Sequence, residues 1–146
     1  MGGKFKKLIC ILCIAVLSIA MCVPAFGYGT VYKFTVKKGE DPQKSGIVYK
    51  NDSERASYVT LESAMYSTGD TFLFGARVRN SSGTALTNYY TTNRIGKMGV
   101  KNSNGVTNFP FLSGVSAYKG QQCRLHAQVD SSSASNLITA YGVWTP

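Results

Sequence analysis

In residues 121–129 apolar and polar side chains alternate without a break: Cys123, Leu125, Ala127 and Val129 against Gln122, Arg124, His126 and Gln128. A two-residue period puts one set on each face of a β-strand and runs out of phase with the 3.6-residue turn of a helix. The pattern recurs in residues 31–37, where Tyr32, Phe34 and Val36 oppose Lys33, Thr35 and Lys37. It recurs again in residues 71–79, with Phe72, Phe74, Ala76 and Val78 inward and Arg77 and Arg79 toward water. Shorter strands are expected at 47–49, 57–62, 84–92, 97–101, 106–109 and 137–144.

Turn chemistry separates these segments. Asn80-Ser81-Ser82-Gly83 and Asn102-Ser103-Asn104-Gly105 read as hairpin turns, and residues 38–46 and 130–136 as polar loops. Beyond residue 27 no stretch has the Leu/Ala/Glu/Lys composition that helices favour. Connections this brief leave no room for crossover helices, so neighbouring strands must run antiparallel. The expected fold is all-β, an antiparallel β-sandwich of about eight short strands. A small closed β-barrel is the alternative, because periodicity alone does not separate the two.

The first 27 residues follow a different logic. Lys4, Lys6 and Lys7 precede an apolar run over residues 8–23 in which Ser18 is the one polar residue. Pro24 breaks the run, and Ala25-Phe26-Gly27 places small residues where an export peptidase cuts. A membrane-spanning helix needs roughly 20 apolar residues, so the run is short for an anchor. Residues 1–27 are therefore read as a signal peptide and residues 28–146 as one domain, secreted and extracellular or wall-associated. Cys22 stands at the depth of a lipidation site, but Met21 before it is larger than such a signal tolerates. Of four cysteines only Cys123 follows the signal, so no internal disulfide can form, and its place in the alternation makes it a small buried residue.

Charge points to a class of partner. The chain carries a formal net charge of +9. Acids and bases balance over residues 28–70, whereas residues 71–129 hold no acid at all against Arg77, Arg79, Arg94, Lys97, Lys101, Lys119 and Arg124. Basic residues on strands also protect sheet edges from aggregation, which is the plainer account of them. The functional account is a cationic face made by Arg77, Arg79, Arg94, Lys97 and Lys101, with Tyr89 and Tyr90 supplying aromatic contacts. Its expected partner is an anionic cell-wall polymer or a lipid surface. Nucleic acid is not expected, since neither a recognition helix nor a base-stacking motif is present.

No reaction is specified. His126 is the sole histidine and shares a polar strand face with Arg124 and Gln128, so it reads as solvated. The close carboxylate pairs, Glu40 with Asp41 and Asp52 with Glu54, fall in loops rather than on a framework that would hold them for acid–base work. The expectation is a protein that is not an enzyme and needs no cofactor or metal.

The signal ending at Gly27, the opening Tyr32-Lys33-Phe34-Thr35-Val36, the Cys123-Arg124-Leu125 strand and the close Tyr141-Gly142-Val143-Trp144-Thr145-Pro146 carry a resemblance. With these pieces the chain resembles a family of short secreted proteins of Gram-positive bacteria whose function is unknown. That resemblance implies export and a small β fold and brings no catalytic residue with it. In size, export and basicity the chain is also similar to secreted β-sandwich bacteriocins of the lactococcin 972 type, which makes an antibacterial protein the alternative function.

Overall fold

Each alternating segment becomes a strand in the computed structural model, which describes residues 29–67, 69 and 71–146. The signal segment expected at residues 1–27 lies outside the described residues. The strands are β1 (Thr30–Lys37), β2 (Gln43–Lys44), β3 (Val48–Tyr49), β4 (Ala56–Tyr66), β5 (Phe74–Asn80), β6 (Tyr90–Thr92), β7 (Gly96–Met98), β8 (Val100–Lys101), β9 (Thr107–Pro110), β10 (Gln122–Val129) and β11 (Leu137–Thr145). No helix occurs among the described residues.

The strands form two antiparallel sheets. A six-stranded sheet runs β1-β11-β4-β9-β8 with β7 also paired to β4, and a five-stranded sheet runs β2-β10-β5-β6 with β3 also paired to β10. The sheets pack face to face and do not close on each other, so the sandwich reading holds and the barrel alternative does not. Inward residues of both sheets form one core: Tyr32, Phe34, Val36, Val59, Leu61, Ile138 and Trp144 from one side, and Phe74, Val78, Cys123, Leu125 and Val129 from the other. Aromatic rings bridge the layers. Tyr32 stacks on Phe74 at 6.4 Å between centroids, and Tyr90 meets Phe109 at 4.7 Å.

Three departures from simple alternation shape the molecule. Residues 84–92, expected to form one strand, are interrupted: Ala85 bridges Arg79, Thr87 bridges Phe111 of the other sheet, and only β6 returns to β5. The cause is a bulge at Val78, whose carbonyl accepts from both Leu86 N (2.9 Å) and Thr87 N (3.3 Å). Residues 38–46 are not wholly loop, because β2 pairs with β10 there and Ser45 locks onto Leu125 with hydrogen bonds in both directions. Finally, β4 extends well past residue 62, and Glu62 is the extra residue where Ser63 pairs with Tyr141 but Leu61 pairs with Gly142.

Gly142 sits in that irregularity for a steric reason. A Cβ there would fall 1.9 Å from the Thr60 carbonyl oxygen and 2.6 Å from the Tyr32 hydroxyl. That hydroxyl donates to the same carbonyl at 3.0 Å, so neither neighbour is free to retreat. Gly142→Ala is expected to cost about 3 kcal/mol, the upper part of the range for overpacking. Gly46→Ala, with nothing within 4 Å of its new methyl group, should leave the urea midpoint almost unchanged. Equal midpoints for the two variants would remove the steric argument.

Candidate functional site

On β5 the residues between the buried Phe74, Ala76 and Val78 are Gly75, Arg77 and Arg79, which therefore face away from the core. The register of β10 sets His126 opposite Arg77 and Arg124 opposite Arg79. On the other side of β10, Lys44 of β2 stands opposite His126. Directly opposed residues in an antiparallel pair share a face, with Cβ atoms about 5 Å apart. The outer face of the five-stranded sheet thus carries Lys44, His126 and Arg77 in one row across three strands. Arg124 and Arg79 lie in the next row, about 7 Å along the strands.

Tyr89 closes the first row. The Arg77 guanidinium lies over its ring at 5.3 Å, and the ring covers Gly75, where an added Cβ would meet the Tyr89 hydroxyl at 1.7 Å. Gly75 is thus the residue that lets an aromatic side chain lie flat on this face. Arg79 is steadied by donating from Nη1 to the Gly83 carbonyl in the turn that follows β5.

Crowded cations change the state of the histidine. His126 is buried to 8% exposure rather than solvated as its sequence position suggests, because Lys44, Pro42 and the arginines close around it. Burial first, and then the charges of Arg79, Lys44, Arg124 and Arg77, push its pKa down to about 4. At neutral pH the imidazole is uncharged. No carboxylate within salt-bridge distance of Lys44, Arg77, Arg79 or Arg124 is found among the described residues; the ion pairs formed are Lys37–Glu40 and Lys50–Asp52. Two adjoining recesses open on the face. One of about 50 Å³ is lined by Pro42, Arg77, Arg79, Tyr89, His126 and Gln128. The other, of about 270 Å³, is bounded by Lys44, Arg124, His126 and the turn 80–83.

The sequence-expected site residues separate into groups. Arg77, Arg79 and Tyr89 come together on the face just described. Tyr90 turns the other way, onto Phe109 in the core. Arg94 is exposed in the connection between β6 and β7. Lys97 and Lys101 project from β7 and β8 of the six-stranded sheet, Lys97 opposite Thr60 and Lys101 opposite Thr107. Lys44 joins the face although its sequence neighbourhood is charge-balanced. Only the pairing of β2 with β10 brings it there, and no local pattern announces a two-residue strand inside a polar loop.

Cys123 faces the core with no exposed surface, and burial pushes its thiol up to about 11, so it is a protonated, unreactive side chain at neutral pH. No group of three or more His, Cys, Asp or Glu arranged to hold a metal ion occurs among the described residues. No protein-family model, curated protein or solved structure matches this chain.

Proposed function

We propose that the protein is a secreted, non-catalytic component of a Gram-positive cell envelope that binds an anionic wall polymer through the outer face of its five-stranded sheet. The observation that carries this reading is the convergence of Lys44, Arg77, Arg79 and Arg124 from three strands around one buried histidine, with no acid paired to them among the described residues. Gathering like charges on one face works against folding, and a structure keeps such an arrangement where an anion offsets the repulsion. A polymer fits better than a lipid surface, because the cations line recesses rather than standing on a flat, protruding plane.

Binding of purified walls, or of poly(glycerol phosphate), should weaken steeply between about 50 mM and about 500 mM salt as the Debye length shortens. Each basic residue near an anionic surface contributes roughly 1 kcal/mol. The Arg77→Gln/Arg79→Gln pair should therefore bind about thirtyfold more weakly. The Lys97→Gln/Lys101→Gln pair, on the other sheet, should bind like the parent. Equal losses from both pairs would reduce the effect to overall charge. Binding to phosphatidylglycerol vesicles but not to the polymer would replace the wall ligand by a membrane.

A further inference from the structure

The smaller recess has the dimensions of a single chemical group. A water needs roughly 10–15 Å³ of such volume, so about 50 Å³ admits about three to five water-sized atoms, the scale of a sulfate or phosphate head rather than of a sugar ring. Its walls are chosen for such a head. Arg77 and Arg79 bring planar donor forks from β5 and His126 stands between them and the adjoining recess, which Lys44 and Arg124 line from β2 and β10.

Two polar groups here lack partners. The Tyr89 hydroxyl, on the wall of the smaller recess, is buried with no hydrogen-bond partner. Arg124 Nε is likewise buried with no acceptor. Buried donors are normally paired, and unpaired ones mark the place where a ligand supplies the missing atoms. A flat carboxylate offers two oxygens in one plane. A tetrahedral oxyanion offers oxygens in several directions, as donors arriving from β5, from β10 and from Tyr89 require.

We infer that this recess is a discrete oxyanion site, in which His126, Arg77 and Arg79 hold one phosphodiester or sulfate-ester group, with Lys44 and Arg124 of the adjoining recess adding positive charge, and His126 takes up a proton as the group binds. The inference rests on the proposed polymer reading for the ligand's source, but its own chemistry is local. Without an anion, burial and the surrounding cations keep His126 neutral down to a pH of about 4. A negative charge set beside it reverses the sign of the local field and raises its proton affinity. By linkage, the protonated ring then binds the anion more tightly, so affinity rises as pH falls below neutrality. The groups facing His126 are Lys44 from β2, Arg77 and Arg79 from β5, and Arg124 and Gln128 along β10. Tyr89 lies beyond Arg77, and its hydroxyl does not ionise in this range because burial raises its pKa.

His126 is the chain's one histidine, so its ring signals in a proton NMR spectrum are unambiguous. The probes are dimethyl phosphate and methyl sulfate, which keep a fixed charge where a histidine titrates, each added to saturation and compared with chloride at equal ionic strength. The expected result is at least about a tenfold rise in the proton affinity of His126 with one or both esters and no rise with chloride. The ester giving the larger rise identifies the source, a phosphodiester or a sulfated polymer. In Arg77→Gln the rise should shrink severalfold while far-ultraviolet dichroism stays strand-like. His126→Gln should bind poly(glycerol phosphate) at neutral pH but lose the strengthening on acidification. Identical titrations in ester and chloride would overturn the site, even with polymer binding intact. A normal ester response with no polymer binding would instead overturn the proposed function alone.

Discussion

Trp144→Ala is expected to cost about 3–5 kcal/mol of stability, the range for removing a large aromatic ring from a closed core. The residue lies two positions from the last one, where chain ends usually fray. Its surroundings decide otherwise. β11 is bracketed by β1 and β4, and Trp144 pairs with Thr30 on one side and Val59 on the other, leaving no exposed surface. Removing the ring leaves a cavity between two sheets that neither can collapse to fill. The indole N–H has no acceptor, so part of the parent's burial is unfavourable. Trp144→Phe, which deletes that donor and keeps most of the volume, should accordingly cost only about 1 kcal/mol. Urea unfolding followed by far-ultraviolet dichroism measures both. As the chain has one tryptophan, parent emission should be blue-shifted when folded and move to the red on unfolding. A loss near zero for Trp144→Ala would mean that the last strand is not docked as described.

The second large effect is expected at a lysine. Lys50, between β3 and β4, is 1% exposed. Its ammonium donates to the Ala56 carbonyl at 3.1 Å and the Pro146 carbonyl at 3.0 Å, pairs with Asp52 at 2.9 Å, and lies 5.4 Å above the Phe111 ring. One charged group thus ties the start of β4 to the end of the chain. Lys50→Met keeps most of the stem but leaves two buried carbonyls without a donor, each costing about 1–3 kcal/mol. A loss of about 3 kcal/mol is expected, with Asp52 adding little because its side chain is 55% exposed. Partial burial raises the Asp52 carboxyl, but hydrogen bonds from the Lys50 ammonium and the Glu54 amide outweigh this and hold it below the usual range. A carboxyl depressed in the folded state stabilises above its unfolded pKa and loses that contribution as pH falls through its folded value. The gap between parent and variant should therefore narrow slightly in strong acid. A gap below about 1 kcal/mol at neutral pH would show that the two carbonyls find other donors.

How much of this was legible beforehand differs from strand to strand. Residues 31–37, 71–79 and 121–129 show which side chains enter the core, because a β-strand turns sequence period into two faces without help from the rest of the chain. β4 defeated the same reading beyond residue 62, since one bulged residue swaps the faces. The segment 84–92 defeated it too, because Thr87 crosses to the other sheet. For the candidate site, the outward direction of Arg77 and Arg79 followed from alternation, whereas of the two tyrosines expected beside them only Tyr89 stays on that face and Tyr90 packs on Phe109. The burial of His126 did not follow. It depends on Lys44 and Pro42, more than eighty residues earlier, folding over β10.

What the sequence by itself determined is the set of local facts: an all-β chain, the inward and outward faces of its regular strands, Cys123 placed in the core, and an acid-free stretch of basic residues. Tertiary structure alone decided which bases share a surface. Arg94, Lys97 and Lys101 are neighbours of Arg77 and Arg79 in the chain, yet Lys97 and Lys101 stand on the other sheet, while Lys44 and Arg124 stand beside Arg77 and Arg79. The physical reason is range. Side-chain alternation is a property of one strand, whereas a charged face is a property of register between strands far apart in sequence. That register is set by how two apolar sheet faces close over a common core.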